Sequence, residues 1–284
     1  MPRFAYVNGQ FENHETGAVH IEDRGYQFAD GVYEAWGVSK GVIVDFDLHL
    51  DRLTRSLSEL RIEWPMSRKA LSIVLREMRR RNRINEGIIY LQITRGVAPR
   101  DHPFPTTPVK PSIVITAKPL SRPKYEAMAE GGITIITVPD ERWARPDIKS
   151  VSLLPNVLAI QKARDAGAFD AWQVDKEGFV SESSRTNAWI VDKDGNLVTR
   201  QVSNAILSGI TRRVIVALME KDGRKVIERA FTVEEAKSAR EAFQSSASAW
   251  IMPVVEIDGQ PIGNGAAGSV ALSLRKLYLE HAAN

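Results

Sequence analysis

Short runs rich in β-branched and aromatic residues alternate with segments of helical periodicity along the whole chain. This alternation limits the possible folds more than any other feature of the sequence. The strand-like runs include FAYVNGQFE, IIYLQITRG, PSIVITAKPL and GGITIITVP. The first contains Asn8-Gly9, a strong hairpin signal. Because strands and helices mix in both halves, the sequence predicts a mixed α/β (α+β) protein of two domains.

Helical segments separate these strands. After predicted strands near residues 31–38 and 42–46, leucines recur at helical spacing from Leu50 to Leu60, with Asp45 or Asp47 as the expected cap. Further helices are predicted from Ser67, over 156–167 and over 208–222, and TVEEAKSAREAF opens with a capping box of Thr232 and Glu235. We predict a smaller N-terminal α/β domain at 1–119, a linker at 120–126 and a larger C-terminal domain at 127–284.

Composition excludes several classes of protein. The net charge of +3, from 38 basic and 35 acidic residues, is too small to indicate a polyanionic partner such as nucleic acid. The absence of cysteine excludes disulfides and thiolate metal sites. No run approaches the roughly 20 apolar residues that cross a bilayer, and the N-terminal stretch lacks the apolar core of a signal peptide. We therefore expect a soluble cytoplasmic protein without a membrane partner.

Three patterns that suggest other functions have simpler interpretations. The segment 263–268 matches G-x-G-x-x-G, but the chain ends too soon after it for the second strand and acidic residue of a dinucleotide site. The arginines of 79–83 could form a nucleic-acid patch, but they end a predicted helix, where cations complement the helix dipole. The five histidines show no paired ligand spacing, so no metal site is predicted.

The segment RPDIKSVSLLPNVLAIQ carries one lysine at a predicted strand–helix junction. Lys149 lies among apolar neighbours, and desolvation disfavours the charged form of an amine. Such an amine can act as a nucleophile or form a Schiff base with an aldehyde. A lysine more often extends to solvent, so Lys149 by itself indicates little.

Other candidate residues lie elsewhere in the sequence. Glu182 opens the run SESSRTNAWIV, and a buried glutamate requires a cation or donor beside it. The helix predicted over 208–222 begins with Ser-Gly-Ile-Thr, so the amides of Ile210 and Thr211 could bind a phosphate. Ser246 and Ala247 could add donors. Each of these residues, like Arg52 on its predicted helix, also has an ordinary structural interpretation as a cap, turn or solvated side chain.

Taken together and in order, the motifs resemble one family. They are YVNGQ, EDRGYQFADGVYE, DLHLDRL, IYLQITRGVAPRDHPFP, DIKSVSLLPNVLA, SESSRTNAWIV, ILSGITR and EIDG, and they cover nearly the whole chain. The chain resembles the fold-type IV aminotransferases that depend on pyridoxal 5'-phosphate, and within them the D-amino acid transaminases. The resemblance implies a pseudo-barrel-like C-terminal domain that binds this cofactor.

The resemblance also implies roles for individual residues. Lys149 would be the Schiff-base lysine and proton carrier, and Glu182 would pair with the pyridine nitrogen of the cofactor. The expected phosphate ligands are Arg52, Ile210, Thr211, Ser246 and Ala247, and Leu207 would pack on the ring. The sequence departs from the usual motifs at Ser183, Arg185 and Ala247, and at Ala247 only a backbone contact is retained.

The proline-rich loop at 97–108 resembles one that reaches across a homodimer interface in D-amino acid transaminases. Arg100 and His102 would then join Tyr33 of the neighbouring chain in binding the substrate carboxylate. The resemblance implies that D-amino acids such as D-alanine and 2-oxo acids such as 2-oxoglutarate or pyruvate are the substrates.

The same fold also serves branched-chain L-aminotransferases, (R)-amine transaminases and aminodeoxychorismate lyase, which remain alternatives.

Overall fold

The structure is a computed structural model that describes residues 3–283. The chain forms two compact units. Unit 1 comprises residues 3–121 together with Ile148–Ser152, and unit 2 comprises Arg122–Asp147 and Leu153–Ala282. The short segment around Lys149 thus belongs to unit 1, although the chain on both sides of it belongs to unit 2.

Unit 1 is built on a six-stranded sheet with the order β2-β1-β6-β5-β3-β4. Its strands are β1 (Phe4–Val7), β2 (Gln10–Asn13), β3 (Gly31–Ser39), β4 (Val42–Ile43), β5 (Gly87–Thr94) and β6 (Ser112–Pro119). All neighbouring pairs are antiparallel. The predicted hairpin is confirmed, because Val7 pairs with Gln10 and both turn residues have positive φ, 46° at Asn8 and 107° at Gly9.

Three helices accompany this sheet. They are α1 (Arg24–Phe28), α2 (Phe46–Glu59) and α3 (Arg68–Arg81). The helical leucines of α2 are confirmed as core residues, since Leu50, Leu53 and Leu57 are all buried in the cluster that includes Trp36. The strand predicted to reach residue 46 is shorter, because Asp45 adopts a φ of 53° and α2 begins at the next residue.

The ends of these helices follow local rules only in part. Asp45 occupies the N-cap position of α2 but makes no side-chain capping hydrogen bond. Helix α3, predicted from Ser67, begins at Arg68, and Ser67 caps it because its side chain accepts a hydrogen bond from the amide of Ala70. At the other end of α3, Arg80 and Arg81 both pair with Glu77 at 2.7 Å. This arginine run is therefore a solvated helix end.

Unit 2 contains a nine-stranded sheet with the main order β12-β11-β10-β13-β14-β7-β8-β9, while β15 pairs with β14. Its strands are β7 (Ile133–Pro139), β8 (Asp170–Val174), β9 (Val180–Ser183), β10 (Asn187–Val191), β11 (Leu197–Thr199), β12 (Val226–Glu228), β13 (Glu241–Ser246), β14 (Trp250–Ile257) and β15 (Gln260–Pro261). Four strands separate β9 from β10 in the sheet, yet only residues 184–186 join them in the chain. The sheet must therefore curl, as the predicted pseudo-barrel requires.

The helices of unit 2 are α4 (Arg122–Gly131), α5 (Leu154–Asp165), α6 (Ile210–Lys221), α7 (Val233–Lys237) and α8 (Ser269–Ala282). Helix α4 begins inside the stretch 120–126 that the sequence suggested as a linker. The capping box of α7 is half formed. Thr232 accepts from the amide of Glu235, but the Glu235 carboxylate binds Arg229 instead of reaching back.

The G-x-G-x-x-G stretch lies directly before α8. The carboxylate of Glu241 accepts hydrogen bonds from the amides of Val270 at 3.0 Å and Ala271 at 2.9 Å. A protein side chain therefore binds the amides that a dinucleotide phosphate would need. This agrees with the interpretation of 263–268 as a turn and helix start.

Candidate active site

Lys149 lies in a short extended segment that runs beside β3. The backbone amide of Tyr33 donates to the Lys149 carbonyl at 2.9 Å, and the amide of Val151 donates to the Gly31 carbonyl at 3.0 Å. The side chain of Lys149 is half-buried, and its Nζ lies 4.0 Å from the centre of the Tyr33 ring. The structure thus brings together two of the residues that the sequence singled out.

Arg52 lies one turn before Ser56 on α2, and the Ser56 hydroxyl accepts a hydrogen bond from the Lys149 amide at 3.3 Å. The Arg52 guanidinium binds Glu34 through two nitrogens, with Nε at 3.0 Å and Nη2 at 2.6 Å. Two nitrogens of the fork are therefore oriented by a carboxylate of the protein itself. Its predicted contact with a phosphate remains a prediction.

Glu34 and His49 complete a buried charged cluster around Arg52. The Nδ1 atom of His49 lies 3.2 Å from the Glu34 carboxylate. Burial opposes the charged form of Glu34, but Arg52 and His49 outweigh it and hold the pKa of this carboxyl far below its ordinary range. Sequence reasoning missed both residues. Glu34 does carry a signal, because it is a single charged residue within the apolar strand GVYEAWGV.

Arg100 and His102 lie on the exposed loop that follows β5. Both contact the ring of Phe28, with the Arg100 guanidinium 4.7 Å and the His102 ring 5.4 Å from its centre. The Arg24 side chain donates to the carbonyls of Asp101 at 2.6 Å and His102 at 3.2 Å. The loop is thus exposed but anchored, and its two predicted substrate ligands both contact Phe28.

Glu182 is the buried acid of unit 2. Its carboxylate accepts hydrogen bonds from the Arg142 guanidinium, from Asn187 Nδ2 at 3.0 Å and from the amide of Leu207 at 3.3 Å. Burial is the largest influence on this group, and it raises the pKa of Glu182 above its ordinary value despite the nearby Arg142 cation. A further cationic donor beside Glu182 would therefore be stabilising.

The partners of Glu182 were not identified from the sequence. Arg142 is itself bound by Asp140, at 2.9 Å and 2.6 Å, so its charge is shared between two carboxylates. Asn187 also donates to the Leu207 carbonyl at 2.9 Å, which connects β10 to the chain before α6. Arg142 lies 40 residues from Glu182 in the sequence, so no local pattern links them.

The first turn of α6 lies against this cluster. Gly209 is its N-cap and makes no side-chain capping hydrogen bond. A Cβ atom at Gly209 would lie 2.0 Å from Asn187 Oδ1, so only glycine allows this approach. Helix N-termini attract anions through their amides and dipole. The amides of Ile210 and Thr211 are thus placed to bind an anion near Asn187.

Ser246 ends β13, and its neighbour Ser245 pairs with Asn187 across the sheet. The Ser246 hydroxyl accepts a hydrogen bond from the Ala249 amide at 3.2 Å. Because a hydroxyl has one donor and two acceptor sites, Ser246 can still donate its hydrogen to an anion. Ala247 follows in the same turn. Unit 2 thus carries four of the five predicted phosphate residues, Ile210, Thr211, Ser246 and Ala247, while Arg52 lies in unit 1.

These arrangements fit the cofactor that the motifs imply. In unit 2, a buried carboxylate oriented by Arg142 and Asn187 suits a protonated ring nitrogen, and a helix N-terminus with Gly209 as its N-cap suits a phosphate. Asn187 contacts both groups. In the part of the chain from residue 3 to 283, no three histidine or acidic side chains are grouped as metal ligands, and no helix is long and apolar enough to span a membrane.

Comparisons with known proteins identify the family of the chain. The sequence model of the family described as amino-transferase class IV matches residues 31–257. A D-alanine aminotransferase of Staphylococcus haemolyticus is 43% identical over 271 residues, which cover 95% of each chain. One from Bacillus licheniformis is 38% identical over 268 residues, covering 94% of this chain and 93% of the relative.

A solved structure shares the whole fold. The branched-chain amino acid aminotransferase of Escherichia coli superposes with a TM-score of 0.89 at 25% identity. The match covers 99% of this chain and 94% of that one. The chain therefore belongs to the class IV aminotransferases, which depend on pyridoxal phosphate.

Proposed function

We propose that this protein transfers the amino group of a small D-amino acid such as D-alanine to a 2-oxo acid such as 2-oxoglutarate or pyruvate. The observation that carries this proposal is the 43% identity, over 95% of both chains, to a protein named D-alanine aminotransferase. The charged loop that follows β5 supports it, since Arg100 and His102 are exposed there and lie together on Phe28.

Lys149 is the catalytic amine in this proposal. Bound pyridoxal phosphate supplies the electron sink that makes the α-hydrogen of an amino acid acidic. Lys149 Nζ would hold the cofactor through its aldehyde group and would take up the α-proton of the substrate. The Tyr33 ring contacts this amine and limits its positions, and the hydrogen bonds of residues 149 and 151 to β3 fix the backbone beneath it. Proton transfer by a positioned amine is general base catalysis.

Glu182 keeps the pyridine nitrogen protonated. A carboxylate must be charged to do so, and Arg142 together with the Leu207 amide favours its charged form. The raised pKa of Glu182 in the protein alone indicates that one more cationic donor improves its environment. Arg142 is therefore a positioning residue that acts through Glu182.

The remaining cofactor contacts divide between phosphate and ring. The amides of Ile210 and Thr211, the Ser246 hydroxyl and the Ala247 amide are suited to phosphate oxygens. Arg52 contributes a buried positive charge oriented by Glu34, and Leu207 would pack on the ring.

The substrate carboxylate is bound by a homodimer in this proposal. Arg100 and His102 of one chain act with Tyr33 of the partner, and an arginine fork matches a carboxylate with two hydrogen bonds. The amide of Ala98 in this loop donates a hydrogen bond to the carbonyl of Glu22, so the loop lies beside the segment that contains Ile21 and Tyr26. The side chains of Ile21 and Tyr26 are each 77% exposed. Such a surface suits burial against a second copy of the chain. In this proposal the residues that hold the carboxylate would set the orientation of the substrate, so that the D-enantiomer would present its α-hydrogen to Lys149.

The structural similarity to a branched-chain aminotransferase supports a second candidate, transamination of L-leucine and related L-amino acids. One experiment separates the two. The purified protein, loaded with cofactor, is assayed with D-alanine and L-leucine in parallel, each with 2-oxoglutarate as acceptor. We expect kcat/KM to be higher for D-alanine. A preference for L-leucine would establish the second candidate.

A further inference from the structure

The first residue of β14, directly after the turn from β13, is bulky and has an unfavourable backbone conformation. Ser246 and Trp250 form the last pair of the two strands, so residues 247–249 make a three-residue loop. Trp250 has a φ of 61°. Three-residue hairpin loops commonly need this left-handed conformation at one position, where glycine is favoured. A tryptophan persists there only if its surroundings hold it.

The Trp250 side chain is held by stacking and not by a hydrogen bond. It is 1% exposed, and the Arg122 guanidinium lies 3.5 Å from the centre of its ring. The ring of Tyr278, on α8, lies 6.2 Å from the Trp250 ring. The indole nitrogen of Trp250 is buried without an acceptor among the residues that the structure describes. The side chain thus contributes a packed contact between the turn and helices α4 and α8.

Two arginines bind the backbone of the same turn. Arg122 donates to the Ser248 carbonyl at 2.9 Å. Arg275 on α8 donates to the carbonyls of Ala249 at 2.7 Å and Ile251 at 2.6 Å. Arg275 is itself oriented by the Glu126 carboxylate of α4, at 2.9 Å and 2.8 Å. Hydrogen bonds from charged groups are the stronger ones, so these carbonyls are firmly oriented.

Orientation of these carbonyls also fixes the Ser246 hydroxyl. The Ser248 carbonyl and the Ala249 amide belong to one planar peptide unit and point in opposite directions. Arg122 binds the carbonyl end of this unit, and the amide end donates to Ser246 Oγ at 3.2 Å. The direction in which Ser246 can donate its own hydrogen therefore depends on the arginine behind the turn.

The same terminal helix also contacts the other phosphate element. The Tyr278 hydroxyl lies 3.5 Å from Thr211 Oγ1 in the first turn of α6. Helix α8 thus touches both segments for which phosphate contacts are proposed, one through Arg275 and the other through Tyr278.

We propose that Arg122, Trp250, Arg275 and Tyr278 form a brace that holds the Ser246–Ala249 turn and Thr211 in the geometry that binds the cofactor phosphate. The inference rests on the proposed function, since it concerns the phosphate of the same cofactor. The four brace residues are positioning residues. They act through the turn and the helix start, and they set how tightly the phosphate is held.

The test compares two ligands that differ only in the phosphate. Full-length protein freed of cofactor is titrated with pyridoxal 5'-phosphate and with pyridoxal, and both dissociation constants are measured. In the Arg275→Met variant, we expect the Kd for pyridoxal 5'-phosphate to rise about tenfold, the effect of losing one net hydrogen bond, with the Kd for pyridoxal unchanged. A general loss of protein stability would change the Kd values for both ligands alike.

Arg200→Met is the matched control. Arg200 is also a largely buried arginine of unit 2 that binds an acid, Asp175, and a backbone carbonyl, that of Val180. The Arg200→Met variant should leave the ratio of the two dissociation constants at its wild-type value. If Arg275→Met does not fold, Tyr278→Phe and Arg122→Met test the same proposal with smaller changes, each expected to weaken only the phosphorylated ligand.

Equal effects on both ligands, or none on either, in variants that fold would overturn the brace. A wild-type protein that does not prefer the phosphorylated ligand would instead contradict the proposed phosphate site. The two failures are therefore distinguishable.

Discussion

At the scale of single residues, His49 shows how burial sets a charge state. Burial lowers the pKa of His49 below its ordinary value of 6.5, although Glu34 and Asp45 favour its charged form; Arg52 opposes it. His49 is therefore neutral in the folded protein at neutral pH, and its Nδ1–H can donate to Glu34. The cluster that orients Arg52 thus depends on a histidine without charge.

This gives a prediction about acid stability. Between the lowered pKa and 6.5, the unfolded chain binds a proton at His49 that the folded chain does not, so stability rises with pH in this window and falls as the pH drops below 6.5. The change His49→Asn keeps a donor near Nδ1 but removes the titration. We expect its Tm to fall less than that of wild type between about pH 7 and about pH 5. Thermal unfolding at both pH values measures this.

The exposed His20 provides the control, and His20→Asn should retain the wild-type loss of Tm. In the wild-type protein the lowered pKa of Glu34 contributes stability that is lost only at more acidic pH, below the ordinary value of 4.5, and in His49→Asn the two hydrogen bonds from Arg52 still favour the charged form of Glu34. An unchanged pH dependence in His49→Asn would mean that this histidine is not held neutral.

Lys149 permits the most direct test of the proposed chemistry. The change Lys149→Ala removes the amine that is proposed to bind the cofactor and carry the proton, so we expect transamination to fall by about a thousandfold or more. Cofactor can still bind through its phosphate, without the long-wavelength absorbance of the lysine-bound form. Lys162→Ala, at a lysine 53% exposed, is the control and should remain active. Near-normal turnover in Lys149→Ala would exclude the proposed role.

At the scale of elements, the start of α6 depends on one glycine. Gly209 has an ordinary φ of −64°, so alanine costs nothing in backbone conformation there. Its Cβ would nevertheless lie 2.0 Å from Asn187 Oδ1 and force that side chain away from Glu182 and Leu207. Position 209 therefore requires glycine because α6 begins so close to Asn187, and not because of backbone strain.

We therefore expect Gly209→Ala to fold and to bind pyridoxal phosphate about tenfold more weakly, because hydrogen bonds of Asn187 are lost. Equilibrium titration of the cofactor-free protein measures the change. Gly131→Ala is the control, since no atom lies within 4 Å of a Cβ placed there. Wild-type affinity in Gly209→Ala would show that Asn187 does not connect Glu182 to the phosphate site.

At the scale of the whole molecule, the proposed homodimer predicts complementation. A two-fold interface exchanges the loops at 97–108 reciprocally. Homodimers of Arg100→Ala or Lys149→Ala should both be poor with D-alanine. After the two are unfolded and refolded together, half of the dimers are mixed, and each mixed dimer has one site with both residues. Activity with D-alanine should recover to about a quarter of wild type for random pairing and independent sites.

The matched control refolds Lys149→Ala with Tyr33→Ala. These two residues lie 4.0 Å apart in one chain, so no pairing of subunits restores both to one site. We expect no recovery above the activity of the Tyr33→Ala dimers. Absence of recovery in the Arg100 experiment, despite proven mixed dimers, would contradict the loop's action across the interface.

Much of the local structure followed from the sequence by itself. Asn8-Gly9 predicted its hairpin, the leucine spacing predicted the buried face of α2, and Thr232 predicted the cap of α7. The ordered motifs also predicted the family, which the comparisons confirmed. These signals succeed because they are local: turn conformation, helical period and capping depend on residues within a few positions of one another.

The charged clusters were decided only by the tertiary structure. Glu34 meets Arg52 across 18 residues, and Arg142 meets Glu182 across 40. The segment of Lys149 joins unit 1 through hydrogen bonds to β3, although its neighbours in the chain belong to unit 2. A buried charge is stable only beside partners that the fold brings to it, and no local pattern specifies them. The pKa of Glu182, and hence its suitability for a cofactor nitrogen, therefore depends on contacts that exist only in the folded chain.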